Sequence, residues 1–129
     1  MNLLRIGSIA IAASLGACET APAVRTFPEP PEKVRKAVLE VLSRCQDVRE
    51  EGDLIRSGDC PSPLLPGIPK RFGRWRERHE VLLDGSTVEV RSVVEEGVGR
   101  RGRSWDRRPS RYAQDEFLEA VTRALKENP

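Results

Sequence analysis

Apolar residues recur along this chain with two different periods, and the points where the period changes divide it into elements. Val34, Ala37, Val38, Val41, Leu42 and Cys45 follow helical spacing, with Glu32, Lys33, Arg35, Lys36, Glu40 and Arg44 on the opposite side and Leu39 off the stripe. Pro31 suits the first turn of this helix, where a proline forfeits no intrahelical hydrogen bond. The pattern predicts a second helix that starts near Ser110 or Arg111, carries Phe117, Leu118, Val121, Ala124 and Leu125 on one face, and ends at Asn128-Pro129.

Between the helices the period drops to two. "WRERHEVLLDGSTVEVRSVV", residues 75–94, consists of two alternating runs joined by Asp84-Gly85, a pair that signals a two-residue hairpin turn. With that turn Val81 is expected to face Val88, His79 to face Val90, Glu77 to face Ser92 and Trp75 to face Val94, all on one side of the sheet. On the other side Arg78 would oppose Arg91 and Glu80 would oppose Glu89, like charges relieved only along the diagonals. Two shorter strands are predicted around Glu51-Gly52-Asp53, one holding Val48 and the other Leu54-Ile55, and "AVRTF" at 23–27 suits a first strand. "PSPLLPGIPKRFG", residues 61–73, has four prolines and is predicted to be a loop, since proline breaks both helix and ladder hydrogen bonding.

Two helices with one apolar stripe each and an antiparallel sheet with one apolar face can cover one another only as layers. The expected fold class is therefore α+β, a two-layer sandwich of a small antiparallel sheet packed against two helices. A chain of 129 residues, 33% of them charged, has room for one such domain and not for two cores. Lys and Arg number 22 against 20 Asp and Glu, and a net charge of +2 by itself demands no strongly charged partner.

The amino-terminal segment belongs to neither pattern. Met1–Leu4 and Arg5 make a short positive start, Ile6–Ser14 an apolar run, and Leu15-Gly16-Ala17 a small-residue approach to Cys18, which is the layout of a secretory signal peptide. The run is about half the roughly twenty residues that a membrane-spanning helix needs. Leu15-Gly16-Ala17-Cys18 resembles the lipobox of bacterial lipoproteins. That resemblance implies a diacylglyceryl group on the Cys18 thiol, removal of residues 1–17 as a signal peptide, and acylation of the new amino terminus. Two or more acyl chains hold a protein on a bilayer stably, at about 0.8 kcal/mol per buried CH₂. Residues 18–23 then form a lipidated tether and residues 24–129 the domain. Glu19 after the cysteine implies, by the same resemblance, an outer-membrane address facing the periplasm.

The element order, together with "VLSRCQDVREEGDLIRSG", resembles small helix-grip domains of envelope lipoproteins, of which BamC-like proteins of the outer-membrane assembly machinery are one group. The resemblance implies a non-catalytic domain that binds or scaffolds other envelope proteins.

Candidate chemistry is sparse. With Cys18 assigned to lipid, Cys45 and Cys60 remain, and an exported chain meets oxidising conditions that favour a disulfide between them. Cys45 also fits a buried free thiol, from its place on the apolar stripe. His79 is the sole histidine and falls on the apolar face beside Glu77; this suits a core histidine better than a catalytic one, and there are too few ligands for a zinc site. No cofactor or metal is expected. "GRRGRSWDRR" places Arg100, Arg101, Arg103, Arg107 and Arg108 around Trp105, in a stretch read as a loop over residues 99–111. In an exported protein this suits an anionic glycolipid or cell-wall polymer, and not nucleic acid. The same stretch also fits a solvated loop with Trp105 packed back on the sheet.

Overall fold

The computed structural model describes residues 21–61, 75–98 and 104–128. Residues 1–17, read above as a signal peptide, Cys18, the apolar residues of the proline segment, and Arg100, Arg101 and Arg103 all lie outside the described residues. The elements are β1 (Ala23–Thr26), α1 (Pro31–Leu42), β2 (Arg49–Glu51), β3 (Leu54–Arg56), β4 (Cys60–Pro61), β5 (Trp75–Asp84), β6 (Thr87–Val98), β7 (Ser104–Pro109) and α2 (Arg111–Glu127). The fold is α+β, an open antiparallel sheet packed against two helices.

The hairpin of β5 and β6 is the spine of the sheet. It is long enough for each of its strands to take two short partners in line along its outer edge. β6 pairs with β1 through residues 87–90 and with β7 through residues 93–98. β5 pairs with β3 through residues 80–82 and with β4 through residues 76–77, and β2 lies beyond β3. β7 corrects the expectation of a loop over 99–111: Trp105, Arg107 and Arg108 stand in a strand, opposite Gly97, Glu95 and Val94. A strand of polar residues on the edge of a longer one is held by backbone hydrogen bonds, and backbone groups leave no apolar alternation to find.

The hairpin register also differs from the sequence expectation. Asp84 pairs with Thr87, so the turn residues are Gly85-Ser86 and each expected partner moves by two positions. An Asp-Gly turn would need positive φ at both residues, whereas here only Gly85, at +59°, takes the left-handed conformation. The shift preserves the faces, since it is an even number of residues. It places Val81 beside Val90 and His79 beside Ser92, and it sets Glu80 directly against Arg91 in place of the like-charged oppositions.

Both helices lie on the apolar face. Val34, Val38 and Leu42 of α1 and Phe117 and Val121 of α2 are fully enclosed against Ile55, Val81, Val88 and Val90. Burying each such side chain contributes about 1.5–3 kcal/mol. Ser110 caps α2 by accepting the Ala113 N–H at 3.0 Å, a bond typically worth about 1 kcal/mol. Cys45, three residues beyond α1, and Cys60 in β4 are joined by a disulfide.

Candidate functional site

Neither side of the β5–β6 spine is paired along its whole length. Ala23, the first residue of β1, lies opposite Val90 and Pro109, the last of β7, opposite Val93, while β3 stops opposite Glu80 and β4 resumes opposite Glu77. The His79–Ser92 pair sits at the level of both gaps, and other groups complete the ladder there. On one edge Ser57 donates its N–H to the His79 carbonyl and accepts the His79 N–H on its hydroxyl, both at 2.9 Å. On the other edge Gln114 Oε1 accepts the Ser92 N–H at 3.2 Å, and Ser110 donates its N–H to the Ser92 carbonyl at 3.0 Å. Gln114 also donates from Nε2 to the Ala21 carbonyl at 2.9 Å, which ties the entry of the chain to the same place.

On the inner face this level is polar. His79 Nδ1 lies 2.7 Å from Ser92 Oγ, and Nε2 lies 3.2 Å from Glu77 Oε1. The imidazole packs on Phe117 with ring centroids 5.1 Å apart. Glu116 of α2 is buried nearby, and neither of its carboxylate oxygens has a hydrogen-bond partner among the described residues. Burial first, and the charge of Glu77 second, push its pKa up to about 7.

Contacts running from serine to histidine to glutamate have the residue types of a hydrolytic triad. They sit in a buried setting. A nucleophile needs a neighbouring position for the reacting atom and donors for the developing charge. Ser92 is only 2% exposed and the His79 side chain is wholly enclosed between sheet and α2. Within the core His79 Nδ1 and Ser92 Oγ satisfy one another, whereas His79 Nε2 and Glu77 Oε1 meet as an ion-pair contact without hydrogen-bond geometry. Among the described residues no cluster of three His, Cys, Asp or Glu is placed to hold a metal ion.

Of the residues singled out from sequence, His79 and Glu77 are brought together and Cys45 and Cys60 are bonded. Ser92, Gln114 and Glu116 were missed as members of the polar row. Gln114 has a signal of its own: it lies three and four residues before Phe117 and Leu118, on the apolar stripe, where a polar side chain must find buried partners.

The outer face carries charge. Asp59, held beside the disulfide by Gln46 N–H donating to its carbonyl at 2.9 Å, accepts from Arg76 at 3.1 Å and Arg78 at 3.0 Å. The same two guanidiniums reach Glu95, at 2.8 and 3.4 Å. The Glu95 side chain is 3% exposed, so this carboxylate has given up water for arginine. Next to this network a recess of about 290 Å³ opens over the His79–Ser92 level; Ser57, His79, Ser92 and Gln114 line it together with Arg56, Arg78, Arg91 and Glu80 around Val93 and Pro109.

No known protein family, curated protein or solved structure matches the chain.

Proposed function

We propose that the chain is a lipid-anchored protein of the bacterial cell envelope, whose α+β domain binds or scaffolds other envelope proteins without catalysing a reaction. The observation that carries this reading is the Cys45–Cys60 disulfide. It suits an oxidising compartment outside the cytoplasm. Of the three cysteines in the sequence, it leaves Cys18 alone without a partner thiol. A lone cysteine that ends an apolar leader, behind Leu15-Gly16-Ala17, is the one the lipobox resemblance assigns to acylation. No helix among the described residues is long and apolar enough to cross a membrane, so acyl chains are the means of attachment in this reading.

The enclosure of Ser92 and His79 supports the non-catalytic half of the proposal. The resemblance to helix-grip domains supports the binding half, and an outer-membrane site facing the periplasm follows from Glu19 beside the acylated cysteine.

Intact mass measurement of the native protein tests the anchor. A mature terminus at Cys18 carrying diacylglyceryl and acyl groups is expected, and Cys18→Ala should leave the leader attached. A mature terminus elsewhere, with an unmodified thiol at Cys18, would refute it. Crosslinking in intact envelopes tests the scaffold role: specific protein partners are expected, and their absence in both parent and Cys18→Ala would count against it.

A further inference from the structure

We infer that the outer-face recess bounded by Arg56, Arg78 and Arg91 is a binding site for a phosphoryl group. Three guanidiniums line it with the Glu80 carboxylate, while the carboxylates of Asp59 and Glu95 hold Arg78 from behind. Two of them are held in a way that leaves their recognition edge available. Arg56 reaches Glu80 through Nε at 3.2 Å. Arg78 reaches Asp59 and Glu95 through Nε at 3.0 and 3.4 Å. The terminal Nη groups of Arg56 and Arg78 form no hydrogen bond to any described residue. A guanidinium carries five N–H donors, and fixing it at Nε orients the remaining fork in advance, which lowers the entropic cost of binding.

The supporting shell is unusually firm for a surface. Arg78 is fixed by Asp59, which the backbone bonds around the disulfide hold, and by Glu95, which is enclosed. Val93 and Pro109 give the recess an apolar part beside the cations. A phosphoryl group offers several anionic oxygens to guanidiniums arriving from different strands, whereas a carboxylate offers two in one plane. Arg56 comes from β3, Arg78 from β5 and Arg91 from β6, and only the sheet brings them to one place. The group can arrive as free phosphate or on a lipid headgroup. The inference is independent of the anchor at Cys18 and survives its failure.

The test uses the full chain, nitrogen-labelled, in uncharged maltoside micelles. The Nε–H resonances of Arg56 and Arg78 are followed during titration with sodium phosphate, with sodium acetate, and, separately, with phosphatidic acid mixed into the micelles. Phosphate, phosphatidic acid or both should shift these resonances, with acetate about tenfold weaker or more. A response to phosphatidic acid alone assigns the site to a headgroup, and a response to phosphate alone assigns it to a soluble ligand. Arg56→Gln should weaken binding about tenfold without lowering the melting temperature, because its side chain is 53% exposed. Arg78→Gln should abolish binding, and Arg56→Gln keeps the test decisive if loss of Arg78 disturbs Glu95. Unmoved resonances in every arm, acetate equal to phosphate, or parental affinity in Arg56→Gln would each overturn the inference.

Discussion

Gln114 stands where a strand is missing beside Ser92: its Oε1 accepts the Ser92 N–H at 3.2 Å, in the gap between Ala23 at the start of β1 and Pro109 at the end of β7. A helix side chain thereby completes the hydrogen bonding of a sheet that no continuous edge strand covers. Ser57 does the corresponding work beside His79 on the opposite edge. A buried N–H left without an acceptor costs about 1–3 kcal/mol. Gln114→Leu, which keeps the volume and removes the acceptor, should lower stability by about that amount in urea unfolding. Amide exchange at Ser92 should accelerate with it, and parental exchange at Ser92 would show that the glutamine is dispensable.

Glu116 gives stability a pH dependence with a definite sign. Its pKa rises from the ordinary 4.5 to about 7 in the folded chain, through burial first and the charge of Glu77 second. Below pH 4.5 the group is protonated in both folded and unfolded states, and it imposes no penalty. As pH rises towards 7 the unfolded chain releases the proton while the folded chain keeps it, so stability falls through this window and levels above it. The full effect is on the order of 3 kcal/mol. Glu116→Gln should flatten this part of the profile and exceed the parent in melting temperature at pH 8, with the two close together at pH 4. An unchanged difference between the two proteins across that range would show that Glu116 does not titrate in the window.

The disulfide closes a loop with a sequence separation of 15 residues, for which chain entropy gives a stabilisation of about 3 kcal/mol. Cys45→Ser combined with Cys60→Ser should lose about that much, a large share of what so small a domain holds. The effect should extend to Arg76 and Arg78, since Asp59 is held next to the bridge. Broadened Nε–H resonances of both arginines in the double variant would report that loosening, and unchanged ones would uncouple the bridge from the outer face.

The hairpin register is open to direct measurement. His79 and Ser92 are opposed without a mutual pair of backbone hydrogen bonds, since both turn their backbone groups outward, to Ser57 and to Gln114 and Ser110. Such pairs bring the α-carbons to about 4.5 Å. A strong contact between the α-protons of His79 and Ser92 is therefore expected in nuclear Overhauser spectra. The register with Asp84-Gly85 as the turn makes His79 and Val90 a hydrogen-bonded pair and would place the strong α-proton contacts at Glu80–Glu89 and Arg78–Arg91 instead.

Side-chain periodicity, which a sequence displays openly, determined the two helices, the long hairpin, the inward faces and the α+β class. Val34 and Val38, Phe117 and Val121, Val81 and Val90 are buried where their spacing places them. The cysteines were legible as a candidate pair, and only the fold brought the end of α1 and β4 close enough to join them. Periodicity says nothing about an even shift of register, because such a shift leaves every side chain on its own face. That choice fell to the conformation of Gly85 and the opposition of Glu80 and Arg91. β4 and β7 escaped notice for a related reason: short strands without apolar alternation are held by the backbone of a longer neighbour, and backbone groups are nearly the same at every residue. Tertiary structure alone decided the row through Ser57, His79, Ser92 and Gln114, and the arginines that β3, β5 and β6 bring to one recess. Contacts between residues far apart in the chain exist only once the sheet has aligned them.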